Sequence, residues 1–527
     1  MKKAIKLLFY ITLCFIPTAL SAQMQMLIVC APELADEMEP FIQWKTQKGM
    51  KVELVTMDKI GSTAEELKSY IADYYKKNNN RYLLLVGDAE QIPVHFCYGI
   101  TDPDPNTAYS DAEYGYISGD EYPPSVLVGR FSAKTTEDVR TQVERVIYYE
   151  RDIDESATWL GNSIGITDPS SNEKGDNDET DIQHIRNIND ILKDNNYTTN
   201  EISKKNDLIE QLNKGCSIVN YTGHGYTESW ATTGFSVNDV NKLTNINRLP
   251  FIIAAGCQNG HFRLGTCLSE AFLRGQTQDG KPVGAIGMLG FTIQIYWNPP
   301  MLGQDEFIRI LTSDNSPKIL GEVINSAYKK VIEVYKGSGS DAAKQWSLFG
   351  DPSLLLRRRA PQNMNIVYDK ALPVGTSSIN IDCDTDGATV ALSANDKLLD
   401  VQTVTDGQAS LSFPRIEQDM TLYITITAQD KVTHQGKIIV GKGTGIETNN
   451  INNSVLIYPN PSTGTITLSG ISSLQEPVLA QIYSPDGQLI KETIITNNIP
   501  FSLSIAPGIY FLRIANTEIN KKIIITQ

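Results

Sequence analysis

From Met24 onward the chain alternates short, continuous apolar runs with longer amphipathic stretches. The runs are "QMLIVCA", "MKVELVTM", "RYLLLVGD" and "SVLVGRF", with helix-type segments at 34–47, 63–77 and 134–150. Buried strands separated by helices predict βαβ units on a parallel sheet. The rhythm pauses at "YYERDIDESATW" and resumes with "SIGITD" (163–168), "CSIVNY" (216–221), "FIIAAG" (251–256) and "AIGMLG" (285–290), which predicts a second α/β subdomain adjacent to the first. After "WSLFGDPSLLLRRRAPQ" the apolar period changes to two, in "ATVALSA", "QASLSF" and "TLYITITAQ", so a small β-sandwich is expected next. A Gly/Asn-rich stretch reads as a flexible linker, and the chain closes on further short strands.

The expected division is therefore an α/β subdomain over 23–152, a second over 153–359, a β-sandwich over 360–441, a linker over 442–454 and a small all-β domain over 455–527. Residues 1–22 belong to none of these. "MKKAIKLLFYITLCFIPTALSAQ" has a basic start, an apolar middle and a small-residue exit, the pattern of a secretory signal peptide. No later apolar run is long enough to span a bilayer, so the mature protein is expected to have no transmembrane segment.

Charge narrows the partners. Against 61 acidic residues stand 46 basic ones, a net charge of −15, and loss of Lys2, Lys3 and Lys6 with the signal takes it to −18. Such a surface repels phosphate backbones and attracts cationic peptides, so nucleic acid is excluded as an expected partner. Of seven cysteines, Cys14 leaves with the signal, and the other six are scattered too sparsely for a disulfide scaffold or a metal-ligand spacing. That leaves room for a reactive thiol.

In an open parallel sheet, chemistry collects at the carboxyl ends of the strands. Three reactive side chains are expected there in the second subdomain: Asp168 closing "SIGITD", His224 after "SIVNY" and Cys257 after "FIIAAG". Cys257 follows His224 by one crossover's length, so the two strands can be neighbours. A thiol attacks as its thiolate and needs an activating base, which an adjacent imidazole provides; an acid such as Asp168 would then orient the ring. Gly223 and Gly225 would permit a tight turn presenting His224, and the backbone N–H groups of Gly225 and Cys257 would form an oxyanion hole. Taken singly, the histidine reads as a turn residue and the cysteine as inert core.

Beyond the spacing, "NYTGHG" and "LPFIIAAGCQNGHF" resemble the His-Gly and Cys blocks of the gingipain family of cysteine peptidases, whose catalytic fold is related to that of caspases and legumains. "FIQWKTQKGMKVE", "LLLVGDAEQIP", "VLVGRFSAKTTEDVRTQVERVIYYER", "DNDETDIQHI", "GQDE" and "FGDPSLLLR" are similar, in order, to further segments of that family's catalytic region, over about residues 24–358. The resemblance implies a secreted endopeptidase cleaving after basic residues, Arg before Lys, with an Ig-like domain after the catalytic one. It makes Cys257 the nucleophile, His224 the base and acid, and Asp168 the acidic partner, with Glu173 as rival because the loop "TDPSSNEKGDNDETD" has its own length here.

It also makes Asp181 the carboxylate that receives the substrate's basic side chain and Trp297 a cover for its aliphatic stem. By position alone, Asp181 would be a first-turn helix acid and Trp297 a core aromatic. Ile295, where a polar pocket residue is expected, relaxes strict Arg preference. Gly256 and His261 are smaller departures that leave the dyad untouched. The family's long inhibitory propeptide has no place between the signal and the first strand, so latency is expected to arise by another mechanism or to be absent.

"YPNPSTG", "PGIYFLRI" and "KKIIIT" are similar to successive blocks of the type IX secretion sorting domain, implying that machinery as a partner and delivery to the cell surface or beyond. No cofactor is expected. The acidic loop "EKGDNDETD" is a candidate for structural calcium but lacks EF-hand spacing and reads as a solvated loop. Arg357, Arg358 and Arg359 read as a solvated basic patch, with a cleavage site for an Arg-directed protease as the alternative. The competing class is a non-catalytic surface adhesion protein, for which retention of Cys257, His224, Asp168 and Asp181 together has no use.

Overall fold

The computed structural model describes residues 24–97, 109–117, 123–263, 265–314, 317–441, 455–471, 474, 477–515, 517 and 519–526. The signal segment and the 442–454 linker lie outside them. Ten strands make one sheet: β1 (Gln25–Cys30), β2 (Lys51–Thr56), β3 (Tyr82–Val86), β4 (Leu127–Phe131), β5 (Asn162–Ile166), β6 (Thr198–Ile202), β7 (Ile218–Thr222), β8 (Phe251–Ala255), β9 (Gly287–Phe291) and β10 (Trp346–Phe349). Their order is β2-β1-β3-β4-β10-β9-β8-β7-β5-β6. Every neighbouring pair is parallel except β9 with β10.

The two α/β halves thus share a single sheet, and its one antiparallel contact makes them run in opposite directions. Their carboxyl ends consequently open on opposite edges. Inner strands such as β3, β7 and β8 are buried along their whole length, whereas the edge strands β2 and β6 carry exposed Lys51, Glu53, Thr198 and Glu201. Charged edges of this kind discourage pairing with a further strand.

Two sheets of a β-sandwich follow: a three-stranded one holding Ser378–Cys383 and Gln408–Ser412, and a five-stranded one centred on Met420–Thr427 and Thr389–Ala394. Ile381, Val390, Leu392, Leu411, Ile424 and Ile438 fill the space between them. A network of buried charge fastens this sandwich to the α/β domain. Glu150 receives Lys45, Lys48 and the Trp44 indole within 2.6–2.8 Å. Burial works against its charge, yet the two lysines outweigh it and hold the carboxyl down at about 2.

Arg357 is only 6% exposed and donates to the carbonyls of Tyr149, Glu150 and Lys431, while Arg358 pairs with Asp430 and Asp314. The expected solvated patch is therefore confined to Arg359, because the first two guanidiniums satisfy backbone carbonyls and carboxylates at the junction.

The C-terminal unit, from Gly441, packs a three-stranded sheet (Leu456–Tyr458, Thr465–Ser469, Pro500–Ser502) and a four-stranded sheet (Leu489–Ile495, Val478–Tyr483, Gly508–Ile514, Asn520–Ile525) around Leu468, Ile482, Leu512 and Ile523. Among the described residues no helix is long and apolar enough to cross a membrane.

Candidate active site

Strands β5, β7, β8 and β9 end side by side, and the four loops leaving their carboxyl ends supply the site. Register brings the His224 and Cys257 loops together: Ala255 lies opposite Thr222 in the β7–β8 ladder, so the two chains leave the sheet at the same level. A β-carbon on Gly225 would stand 2.3 Å from the Cys257 carbonyl oxygen and 3.0 Å from its nitrogen. Only glycine permits that approach.

Gly225 opens a short hairpin in which Gly225–Tyr226 pairs with Ser229–Trp230. The Ala231 N–H donates to the His224 carbonyl at 3.0 Å, which marks 224 and 231 as a hydrogen-bonded pair. Antiparallel ladders alternate, so Gly225 and Trp230 form a non-hydrogen-bonded pair and their N–H groups point away from the hairpin. The Gly225 N–H therefore faces outward beside the Cys257 backbone. The His224 carbonyl also accepts from the Tyr221 hydroxyl, which anchors the turn from below.

The Cys257 thiol is partly buried and meets the backbone of Ile295, whose N–H lies 3.5 Å from Sγ. Burial raises its pKa, the Ile295 N–H opposes the rise, and the negative charge of Glu173 adds to it. The Ile295 side chain packs against Cys97 and Ile293.

The carboxylate that reaches His224 is Glu173, with Oε2 at 3.2 Å from Nε2. The same oxygen accepts from the Trp297 indole N–H at 2.7 Å, and the Trp297 ring stands edge-on to the imidazole with centroids 5.3 Å apart. Asp168 is occupied in its own turn, accepting from the backbone N–H of Ser170 at 2.8 Å and from its hydroxyl. Those bonds hold its carboxyl below the usual range; His224 contributes only a smaller electrostatic pull. The structure thus brings Cys257, His224, Gly225, Glu173 and Trp297 together, and Asp168 makes no hydrogen bond to the ring.

Glu173 is placed by packing that no periodicity announces. The Tyr335 hydroxyl donates to Asp176, and a β-carbon on Gly175 would lie 2.1 Å from the Met301 sulfur and 3.0 Å from Trp297 Cβ. Within the acidic loop, Lys174 pairs with Asp178 at 2.6 Å. Among the described residues no group of three or more His, Cys, Asp or Glu side chains converges as a metal site.

Asp181 opens helix α1 (Asp181–Asp194), whose N-cap Thr180 forms a capping box with Gln183. It is a first-turn acid, as its position suggests, but it is only 2% exposed. Burial pushes its carboxyl up to about 6, against a hydrogen bond from Ser171, and Glu173 raises it further while His224 and His184 pull it down.

One further side chain escapes sequence reading. Gln304, fully buried on helix α2 (Asn298–Thr312), donates to the carbonyls of Tyr221 and Ile253 at 3.0 and 3.1 Å and accepts from Thr222 at 2.9 Å. His184 Nε2 lies 3.2 Å from the same Gln304 oxygen. Gln304 thereby ties the helix of Asp181 to the strands that precede His224 and Cys257. The motif "GQDE" was its only trace in the sequence.

Fold and site together define a class: an α/β protein with a thiol and an imidazole on adjoining strand ends, the apparatus of cysteine peptidases. The chain belongs to peptidase family C25, which it matches over residues 19–357. Residues 369–441 match that family's C-terminal Ig-like domain, and 456–526 match a secretion system C-terminal sorting domain.

The chain is 35% identical over 423 residues to gingipain R1 of Porphyromonas gingivalis, covering 78% of this chain and 42% of that protein. It is 32% identical over 506 residues to gingipain R2 of the same species, covering 93% and 66%. It thus spans less than two thirds of the length of either relative. The crystal structure of the Arg-specific cysteine proteinase gingipain R superposes with a TM-score of 0.75 at 33% identity, covering 80% of this chain and 98% of that one. The sorting domain marks the protein for export to the cell surface or beyond.

Proposed function

We propose that this protein is a secreted cysteine endopeptidase cleaving after basic residues, Arg in preference to Lys. The observation that carries the reading is the buried Asp181 carboxylate beside a cysteine–histidine pair. A carboxylate in a pocket accepts a guanidinium through two parallel hydrogen bonds, which an ammonium cannot match. Gingipain R, whose crystal structure superposes on this chain, is an Arg-specific cysteine proteinase, in agreement with this reading. Trp297 stands at the same loop cluster and would cover the aliphatic stem of the bound side chain.

In the reaction, the His224 imidazole takes the Cys257 thiol proton, the resulting thiolate attacks the scissile carbonyl carbon, and the oxyanion is held by the N–H groups of Gly225 and Cys257. Nε2 of His224 is engaged by Glu173, so proton transfer to and from the reacting groups falls to Nδ1. As the tetrahedral intermediate collapses, the C–N bond breaks and the imidazolium gives its proton to the leaving amine. Water, deprotonated by the same imidazole, then cleaves the thioester and restores the thiol. Glu173 takes the part of the orienting acid that the sequence assigned first to Asp168.

Hydrolysis of short peptide amides ending in Arg or Lys, assayed under reducing conditions, tests the reading. The expected result is cleavage of both, with a kcat/KM at least tenfold higher for Arg. No hydrolysis of either peptide would sink the peptidase reading, and equal rates would remove the preference. A second measurement separates the two acids. The Glu173–His224 pair is about half exposed, so its energy is modest, and Glu173→Gln should lower kcat by about 10- to 100-fold. Asp168→Asn should change it by less than about threefold, since its bonds close only its own turn. The reverse order would return the role to Asp168.

A further inference from the structure

Resting on the cysteine–histidine reading above, we infer that Asn259 is a positioning residue that locks the histidine hairpin onto the nucleophile loop and so sets the oxyanion hole. Asn259 lies two residues after Cys257 and is fully buried. Its amide Nδ2 donates to the carbonyls of Tyr226 and Ser229, at 2.7 and 3.3 Å. Those two residues face each other across the hairpin that begins at Gly225. One amide therefore grips both hairpin strands from the cysteine side.

The loop that carries Asn259 is itself held on two sides. Gln258 adopts a left-handed conformation, and its N–H donates to Ile293, while Gly260 donates to Phe291. The backbone carbonyl of Asn259 accepts from both the N–H and the hydroxyl of Ser269. The adjacent Leu268 N–H captures the Thr227 carbonyl in the hairpin's turn. With its own backbone fixed, the Asn259 side chain transmits that rigidity to the strand bearing Gly225, whose backbone lies against Cys257.

Both grips point to carbonyl oxygens, so the group facing them must be the amide's NH2, and its Oδ1 is left buried without a hydrogen-bond partner. An aspartate of the same shape would put carboxylate oxygens against two carbonyls. Only its protonated form offers a donor. Asn259→Asp should therefore behave as an acid-restored variant, while Asn259→Ala offers no donor at any pH.

The experiment measures kcat and KM of the full chain and both variants on an Arg-ended peptide amide across pH 5 to 8. Expected is a fall in kcat of about 10²-fold for both at pH 7.5, as a misplacement near 1 Å produces, with KM within threefold because the Asp181 pocket is not touched. The ratio of Asn259→Asp to the unsubstituted enzyme should rise at least tenfold toward pH 5, and the Asn259→Ala ratio should stay flat. A pH-independent Asn259→Asp ratio, or kcat within twofold in both variants, overturns the inference. Acid recovery by one sample of Asn259→Asp also excludes simple misfolding. Hydrolysis by the unsubstituted enzyme keeps the outcomes apart: if it is absent the peptidase reading falls, and if it is present with indifferent variants only the role of Asn259 does.

Discussion

Cys257→Ala is expected to abolish peptide hydrolysis, lowering kcat by at least about 10⁴-fold, because removal of a nucleophile leaves only binding and the oxyanion hole to act. The fold should survive. Sγ is only partly buried, and its contact with the Ile295 backbone is a single weak sulfur hydrogen bond. Loss of one sulfur from such a position falls at the mild end of large-to-small changes. The check is a burst-free progress curve on the Arg peptide together with an unchanged unfolding midpoint. The same protein should lose its labelling by a thiol-directed alkylating agent at this position. The remaining described cysteines are buried, and burial raises the thiols of Cys30 and Cys97 to about 12, so they should label slowly. Hydrolysis persisting in Cys257→Ala would mean that another group performs the attack.

The second large effect is expected at Asp181. Truncating one partner of a desolvated charge pair costs about 2–5 kcal/mol, so Asp181→Asn should lower kcat/KM on Arg substrates by about 30- to 5,000-fold. The pH dependence follows from its raised pKa. Only the ionised carboxylate binds a guanidinium, and without ligand it ionises near pH 6. Below that value a guanidinium must displace a proton to bind, so kcat/KM and the affinity of an arginine-like competitive inhibitor should fall tenfold per pH unit; above it both level off with respect to this group. In Asp181→Asn the step near pH 6 should vanish. Inhibitor affinity measured by calorimetry in two buffers of different ionisation heat would also show proton release on binding below pH 6. A step that survives the substitution would assign it to another acid.

Both expectations depend on side chains whose surroundings the sequence conveys unequally. The strand rhythm was legible because strands buried on both faces must be continuously apolar; "FIIAAG" and "CSIVNY" predicted β8 and β7 and, with them, the stations of Cys257 and His224. Asp181 was legible only through its resemblance, since an acid at the first position of a capped helix is ordinary until its burial is known. Glu173 illustrates the opposite case. Its loop has no period, and its place comes from Tyr335, Met301 and Trp297, all more than 120 residues away in the chain. Asn259 and Gln304 stood inside quoted motifs, yet nothing in a linear pattern distinguishes an amide that bridges loops from one that faces water.

The arginine run shows how the same limit acts on charge. Three consecutive guanidiniums suggest solvent, and two of them instead cap carbonyls and carboxylates where the sandwich joins the α/β domain. Likewise, the two halves of the α/β region were readable as separate rhythms. Their union in one sheet was not, because β10 arrives from far along the chain to pair with β4 and, antiparallel, with β9.

By itself, then, the order of apolar and polar residues determined the strands, the class of fold, the two strand ends that hold thiol and imidazole, and the sorting domain that closes the chain. Those are consequences of local periodicity and of short motifs, which act within one element or one crossover. Which acid reaches His224, how deeply Asp181 is buried and which amides hold the loops in register were decided only by the tertiary structure. Each depends on contacts between segments distant in sequence, where packing and the need to satisfy buried polar groups set the geometry.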